Sequence, residues 1–185
     1  MAGAFNPASR ATPAGGRARL PGHFVVLTND SRIDAVLAQG GVRLADALER
    51  RAAINVNNVL LGPNDGSRPL TPAPSIKSVD PRTVIIAMPA EDGDPVVSEA
   101  EHEAWHEWRV TYVVTLEATP FKVAGTLLLL PSQDPFLLTE LGTTLFLPVF
   151  SPTVEVGEVT LTDLRHDAIL VNRSHLRRVR NATRH

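Results

Sequence analysis

Two stretches of this chain, 24–88 and 114–172, read as copies of one pattern, and a duplication constrains the fold more than any other feature. Phe24 and Val26 match Val114 and Leu116. Arg32-Ile33-Asp34-Ala35-Val36-Leu37 matches Lys122-Val123-Ala124-Gly125-Thr126-Leu127. Leu44-Ala45-Asp46-Ala47-Leu48 recurs as Leu137-Leu138-Thr139-Glu140-Leu141, Ile54-Asn55-Val56 as Leu145-Phe146-Leu147, and Val84-Ile85-Ile86 as Ile169-Leu170-Val171. A unit of about 60 residues is marginal for independent stability, so the two copies are expected to share a core. With 43% hydrophobic residues and only 5% aromatic, that core is aliphatic.

Within each copy the periodicity changes in a fixed order. Residues 24–28 and 32–38 alternate as strands around an Asn29-Asp30-Ser31 turn, and 121–129 does so in the second copy. Leu44, Ala47 and Leu48 fall at helical spacing over 42–51, and 136–141 reads as a cramped helical turn. Strands follow at 53–61 and 144–150, the latter broken by Pro148, a residue confined to edges and bulges. Prolines at 63, 69, 72, 74 and 81 make 62–82 a loop, and 151–159 reads as another. Strands at 83–88 and 168–172 close the copies; 160–164 is a further short strand and 174–180 a basic helical turn. The resulting expectation is a β-rich α+β protein: two tandem strand-strand-helix-strand-strand repeats packed as one pseudo-two-fold antiparallel barrel or sandwich. Its divisions are a disordered basic tail 1–22, a first repeat 23–90 with the Pro-rich loop 62–82, an acidic linker 91–108 with a short helix, a second repeat 109–180, and a tail 181–185.

Charge is uneven along the chain although the net value is only −2. The first 22 residues hold Arg10, Arg17 and Arg19 and no acid. Residues 91–107 hold seven carboxylates and no Lys or Arg, and the end carries Arg173, Arg177, Arg178, Arg180 and Arg184. Such blocks ordinarily form solvated faces. Absence of cysteine excludes disulfides, thiolate metal sites and thiol catalysis. No apolar run is long enough to span a bilayer, and no signal-peptide core precedes residue 23, so a cytoplasmic protein without a membrane partner is expected. Sixteen arginines against two lysines point to a GC-rich bacterial source, and the acid-free start also fits a transit segment.

One motif carries sharp chemistry. His102-Glu103-Ala104-Trp105-His106 matches the His-Glu-x-x-His pattern, which on a helix stacks two imidazoles on one face for Zn²⁺ while the glutamate activates water. Ser98 and Glu101 have capping-box spacing, which predicts that helix over 99–108. A catalytic zinc needs a third protein ligand, and none stands at a recognised spacing; Glu117 is too close and lies in a strand. The segment reads instead as an amphipathic linker helix with Trp105 and Trp108 inward. No Gly-x-Ser-x-Gly is present, Gly40-Gly41 reads as a turn, and His166-Asp167 and His175 as loop residues.

The segment Arg43-Leu44-Ala45-Asp46-Ala47-Leu48-Glu49, the Lys122–Leu127 strand around Gly125, and Ile169-Leu170-Val171-Asn172-Arg173-Ser174-His175-Leu176 together resemble a family of small bacterial β-rich domains. Those domains carry an Arg-Leu-Ser-Asp-x-Leu-Asn helix start and an Ile/Val-x-Val-Asn-Lys/Arg final strand. Ala45 and Glu49 depart from the helix motif, and Phe136-Leu137-Leu138-Thr139 lacks its core. The resemblance implies a fold over about 130 residues and no activity.

The functional expectation is a non-catalytic accessory, scaffold or binding protein that acts through protein partners or as a homo-oligomer, with no catalytic, cofactor or metal residue assigned. The alternative is a zinc-dependent hydrolase through His102, Glu103 and His106. A third is weak nucleic-acid binding through the C-terminal arginines, without aromatic stacking to support it.

Overall fold

A computed structural model describes residues 21–90, 93–140, 144–161 and 166–184. The disorder expected of residues 1–20, the Leu141 end of the second helical turn and the 162–164 end of the short strand lie outside the described residues. Among the described residues twelve strands join in one antiparallel sheet. They are β1 His23–Leu27, β2 Ser31–Leu37, β3 Ile54–Pro63, β4 Thr71–Pro72, β5 Ser78–Val79, β6 Ile86–Pro89, β7 Val110–Ala118, β8 Phe121–Leu129, β9 Phe146–Val156, β10 Val159–Thr160, β11 Ala168–Asn172 and β12 Arg178–Arg184. Helix α1 is Leu44–Glu49 and α2 is Glu99–Trp108. The path runs β12-β7-β8-β9-β11-β6-β1-β2-β3-β4, with β10 beside β9 and β5 beside β3. The sheet is open: β12 and β4 are its edges, so it is not a closed barrel.

Each half begins as a three-strand meander with the same internal register. Phe24 faces Ala35 and Val26 faces Ile33, while Val114 faces Gly125 and Leu116 faces Val123. Both second hairpins carry a bulge at matching places. Pairing jumps from Asp34–Leu60 to Val36–Asn57, and from Ala124–Thr153 to Thr126–Phe150. Two residues therefore oppose one, and the first of each pair has a positive φ, 53° at Asn58 and 46° at Ser151. By these pairs Asn57 corresponds to Phe150, two residues along from the match of Ile54-Asn55-Val56 with Leu145-Phe146-Leu147. A two-residue slip keeps every side chain on its face, which is why the hydrophobic pattern could not detect it.

The fourth strands depart from the expected two-fold. β6 pairs with β1, the first strand of its meander, whereas β11 pairs with β9, the third. They meet each other through Ile86–Val171 and Ala87–Leu170 at the centre of the sheet. Other corrections are local. The loop 62–82 includes β4 and β5, and residues 151–156 continue β9 where a loop was expected. Residues 178–184 form an edge strand after a 3-10 turn at Arg173–His175, in place of a basic helical turn. The second helical turn is a 3-10 turn at Pro135–Leu137.

Central strands are buried on both faces. Val25, Leu27, Ile86, Met88, Ile169 and Val171 enter one core with Leu116, Phe121, Val123 and Leu127. Their neighbours Phe24, Val26, Ala87 and Leu170 enter the other, with Leu37, Leu48, Val56 and Phe150. The period-two alternation thus serves two hydrophobic layers, and residues of both meanders enter each layer. Leu44, Ala47 and Leu48 seal α1 onto the second layer.

A candidate binding cleft where two strands part

β8 and β9 pair from Phe121–Val156 down to Thr126–Phe150 and then separate. Pro148 sits just past that point, paired with Leu170 of β11 but with no partner on β8. A residue without an N–H fits where one side of the ladder has ended. The opening is a cleft of about 350 Å³. Its floor is aliphatic and aromatic, built by Leu127–Leu129, Phe146, Leu147 and Leu170, and Trp105 of α2 forms one wall.

Charged groups ring this floor. Arg43 Nη1 donates to both carboxylate oxygens of Glu101 at 2.6 and 2.8 Å. Glu49, at the end of α1, accepts the backbone N–H of Leu145 at 3.0 Å and of Phe146 at 2.7 Å, which fixes the first residues of β9. Arg173 stands near Glu49; burial lowers its guanidinium below the usual value and the glutamate opposes that shift. Arg109 differs from the rest. Its Nη1 donates to the Leu128 carbonyl at 3.2 Å, and its guanidinium lies 4.4 Å from the centre of the Trp105 ring. Burial alone lowers its pKa, and no carboxylate pairs with it among the described residues.

The His-Glu-x-x-His segment forms the helix expected of it, with the reciprocal Ser98–Glu101 capping box. Its two imidazoles are hydrogen-bonded to each other, Nε2 to Nε2, at 3.1 Å. Among the described residues no third His, Asp or Glu completes a metal-holding group. Glu103 is exposed, and the helix lies on the surface. His102 stacks on Phe150 with ring centres 4.3 Å apart. Trp105 faces inward as expected, but Trp108 is 74% exposed: three residues on, it has rotated past the side that meets Phe150.

The C-terminal arginines do not form one patch. Arg173 belongs to the cleft, while Arg178 and Arg180 both pair with Glu117 on β7, the former at 2.5 Å. The arginine pair holds the Glu117 carboxyl below its ordinary range. His175 contacts the Arg82 carbonyl at 2.7 Å.

Trp105 and Arg109, one turn apart at the end of α2, were not recognisable as one site with Glu49, because Glu49 lies more than 50 residues earlier in the chain. Pro148 inside an apolar strand was the available signal. No protein-family model matches the chain, and comparisons with curated proteins and with solved structures give no match either. Among the described residues no helix is long and apolar enough to cross a membrane.

Proposed function

We propose that this chain is a non-catalytic binding protein that recognises a protein partner at the cleft between β8 and β9. The supporting observation is Arg109: a cation among apolar groups, bound to a carbonyl and a ring, with no carboxylate partner among the described residues. A charge in such surroundings is stabilised by an incoming anion that also brings apolar surface to exclude water. The fitting occupant is a peptide segment with an aliphatic side chain for the floor and a neighbouring carboxylate for Arg109. The cleft is at the small end of ligand sites, which suits one or two side chains. Leu130, 46% exposed at the rim, extends the contact outward. Both carboxylates among the lining residues are already engaged, Glu49 by two amides and Glu101 by Arg43.

Selection of a displayed peptide library on the full chain tests this. The expected binders pair Leu, Ile or Val with an adjacent Asp, Glu or terminal carboxylate, and Arg109→Glu loses them while Arg178→Glu does not. Basic binders, or binding indifferent to Arg109→Glu, would sink the proposal.

The two meanders are further proposed to descend from one duplicated unit whose fourth strands were later attached differently. Their matching bulges support this, as does the partial resemblance to small bacterial β-rich domains. A cytoplasmic location belongs to the same proposal. Nucleic-acid binding ranks below it, because Arg178 and Arg180 already spend their charge on Glu117.

A further inference from the structure

On the surface of α2, away from the polar ring of the cleft, His102 and His106 stand one turn apart with their Nε2 atoms 3.1 Å from each other. Their ring centres are 4.6 Å apart at 70°, so the rings meet edge to face, and the two Nε2 atoms share one proton in a hydrogen bond whose place a metal ion would take. Two nitrogens bound to one transition metal at about 2.0–2.1 Å lie roughly 2.9 Å apart at a right angle and roughly 3.3 Å apart at a tetrahedral angle. The observed spacing falls between these limits. The capping box fixes the start of the helix, and Phe150 holds the His102 ring by stacking, so the chelating geometry exists before any ion arrives.

We propose that His102 and His106 form a two-imidazole chelate for an exchangeable divalent transition-metal ion, with Cu²⁺ bound more tightly than Zn²⁺. Each ring coordinates through Nε2 and carries its proton on Nδ1, while water fills the remaining positions. Neutral nitrogen donors select transition metals over Mg²⁺ or Ca²⁺, and Cu²⁺ stands at the head of the divalent series for such ligands. This differs from a hydrolytic zinc centre. Two protein ligands on an open surface give a labile ion, and Glu103 takes no part in holding it.

Titration of the full chain with copper(II) chloride, read by fluorescence, tests the proposal. Trp105 and Trp108 lie within three residues of the chelate on the same helix, so bound Cu²⁺ quenches them. Quenching is expected to saturate at one ion per chain, to reverse on adding EDTA, and to be weaker with zinc chloride in a competition assay. Exposed His106→Ala should weaken binding roughly 100-fold, because the second ligand no longer acts intramolecularly. Glu103→Gln should leave it unchanged. Wild-type affinity in a folded His106→Ala variant would overturn the proposal, as would loss of binding in Glu103→Gln. An ion that survives dialysis against EDTA would do the same, since it requires a closed set of more than two protein ligands.

Discussion

Arg43 and Glu101 are 58 residues apart and meet at 2.6 and 2.8 Å, joining the start of α1 to the first turn of α2. Arg43 also holds Asp46 through Nε and Nη2, and Glu101 also accepts the Ser98 amide and hydroxyl. One carboxylate therefore caps its own helix and ties it to the other, at the edge of the cleft. The hydrogen bond from Arg43 is the main reason its carboxyl titrates at about 2, with the Ser98 bonds adding to the shift.

An acid-sensitive contribution to stability follows from that shift. Glu101 binds its proton less readily folded than unfolded, where its ordinary value is near 4.5. Its contribution is therefore complete above that value and is lost as pH falls from there towards 2. Both side chains are partly solvated, so the pair contributes at most about 1 kcal/mol. Melting temperatures across this range should fall less steeply in Glu101→Gln than in the wild type. Identical acid limbs would show that the clamp does not couple to folding.

Gly125 occupies the β8 side of the bulge because nothing larger fits. A Cβ there would lie 2.6 Å from Val149 Cγ1 and 2.8 Å from the Phe150 carbonyl oxygen. The carbonyl belongs to the backbone of β9 and cannot rotate aside. Gly125→Ala is expected to cost about 1–3 kcal/mol through overpacking. Gly40→Ala, where a Cβ meets nothing within 4 Å, is the control and should stay within about 0.5 kcal/mol. Equal midpoints in denaturant for the two variants would contradict this account.

Asn172 is the one fully buried polar side chain at the centre of the sheet among the described residues. Its amide donates to the Val84 carbonyl at 2.7 Å and the Pro81 carbonyl at 3.2 Å, and its oxygen accepts from the Ser174 amide and hydroxyl. It thereby ties the end of β11 to the turn that precedes β6. Asn172→Leu takes the amide donor from the Val84 carbonyl, while the Pro81 carbonyl keeps the Val84 N–H, at a cost of about 1–3 kcal/mol. Chemical denaturation measures it, and a neutral result would mean that water replaces the amide.

How much of this was legible in the sequence depends on the range of the interactions. β8 and α2 were read with their observed ends, because alternation over 121–129 and the Ser98–Glu101 box are local signals. β4, β5 and the far end of β9 were missed, because Pro72 and Pro152 suggest loops and only pairing with a distant strand makes them extended. The attachment of β6 to β1 and of β11 to β9 was invisible for a related reason. Val84–Ala87 and Ile169–Val171 have the same apolar pattern, and nothing local tells a strand which neighbour it will find. The cleft depends on that attachment, so Pro148 could be seen as an anomaly but not as a site.

The C-terminus gives the last prediction, and here the structure reverses what sequence suggested. Residues 181–185 read as a C-terminal tail outside the second repeat. In the fold Asn181, Ala182, Thr183 and Arg184 pair with Thr115, Val114, Val113 and Tyr112, and Ala182 packs against the first core. Deletion from Asn181 should therefore cost roughly 1–3 kcal/mol. It also uncovers the β-branched edge of β7, whose unpaired amides and carbonyls invite a second copy. The truncated chain should melt lower than the full chain and self-associate in sedimentation at concentrations where the full chain does not. By contrast, replacing Arg178 and Arg180 with Gln leaves the strand paired and removes only the two solvated partners of Glu117. That variant should lose any weak low-salt retention on heparin while its melting temperature stays that of the full chain. If the truncated chain were as stable and as dispersed as the full one, β12 would be an adornment of the sheet and not its closing edge.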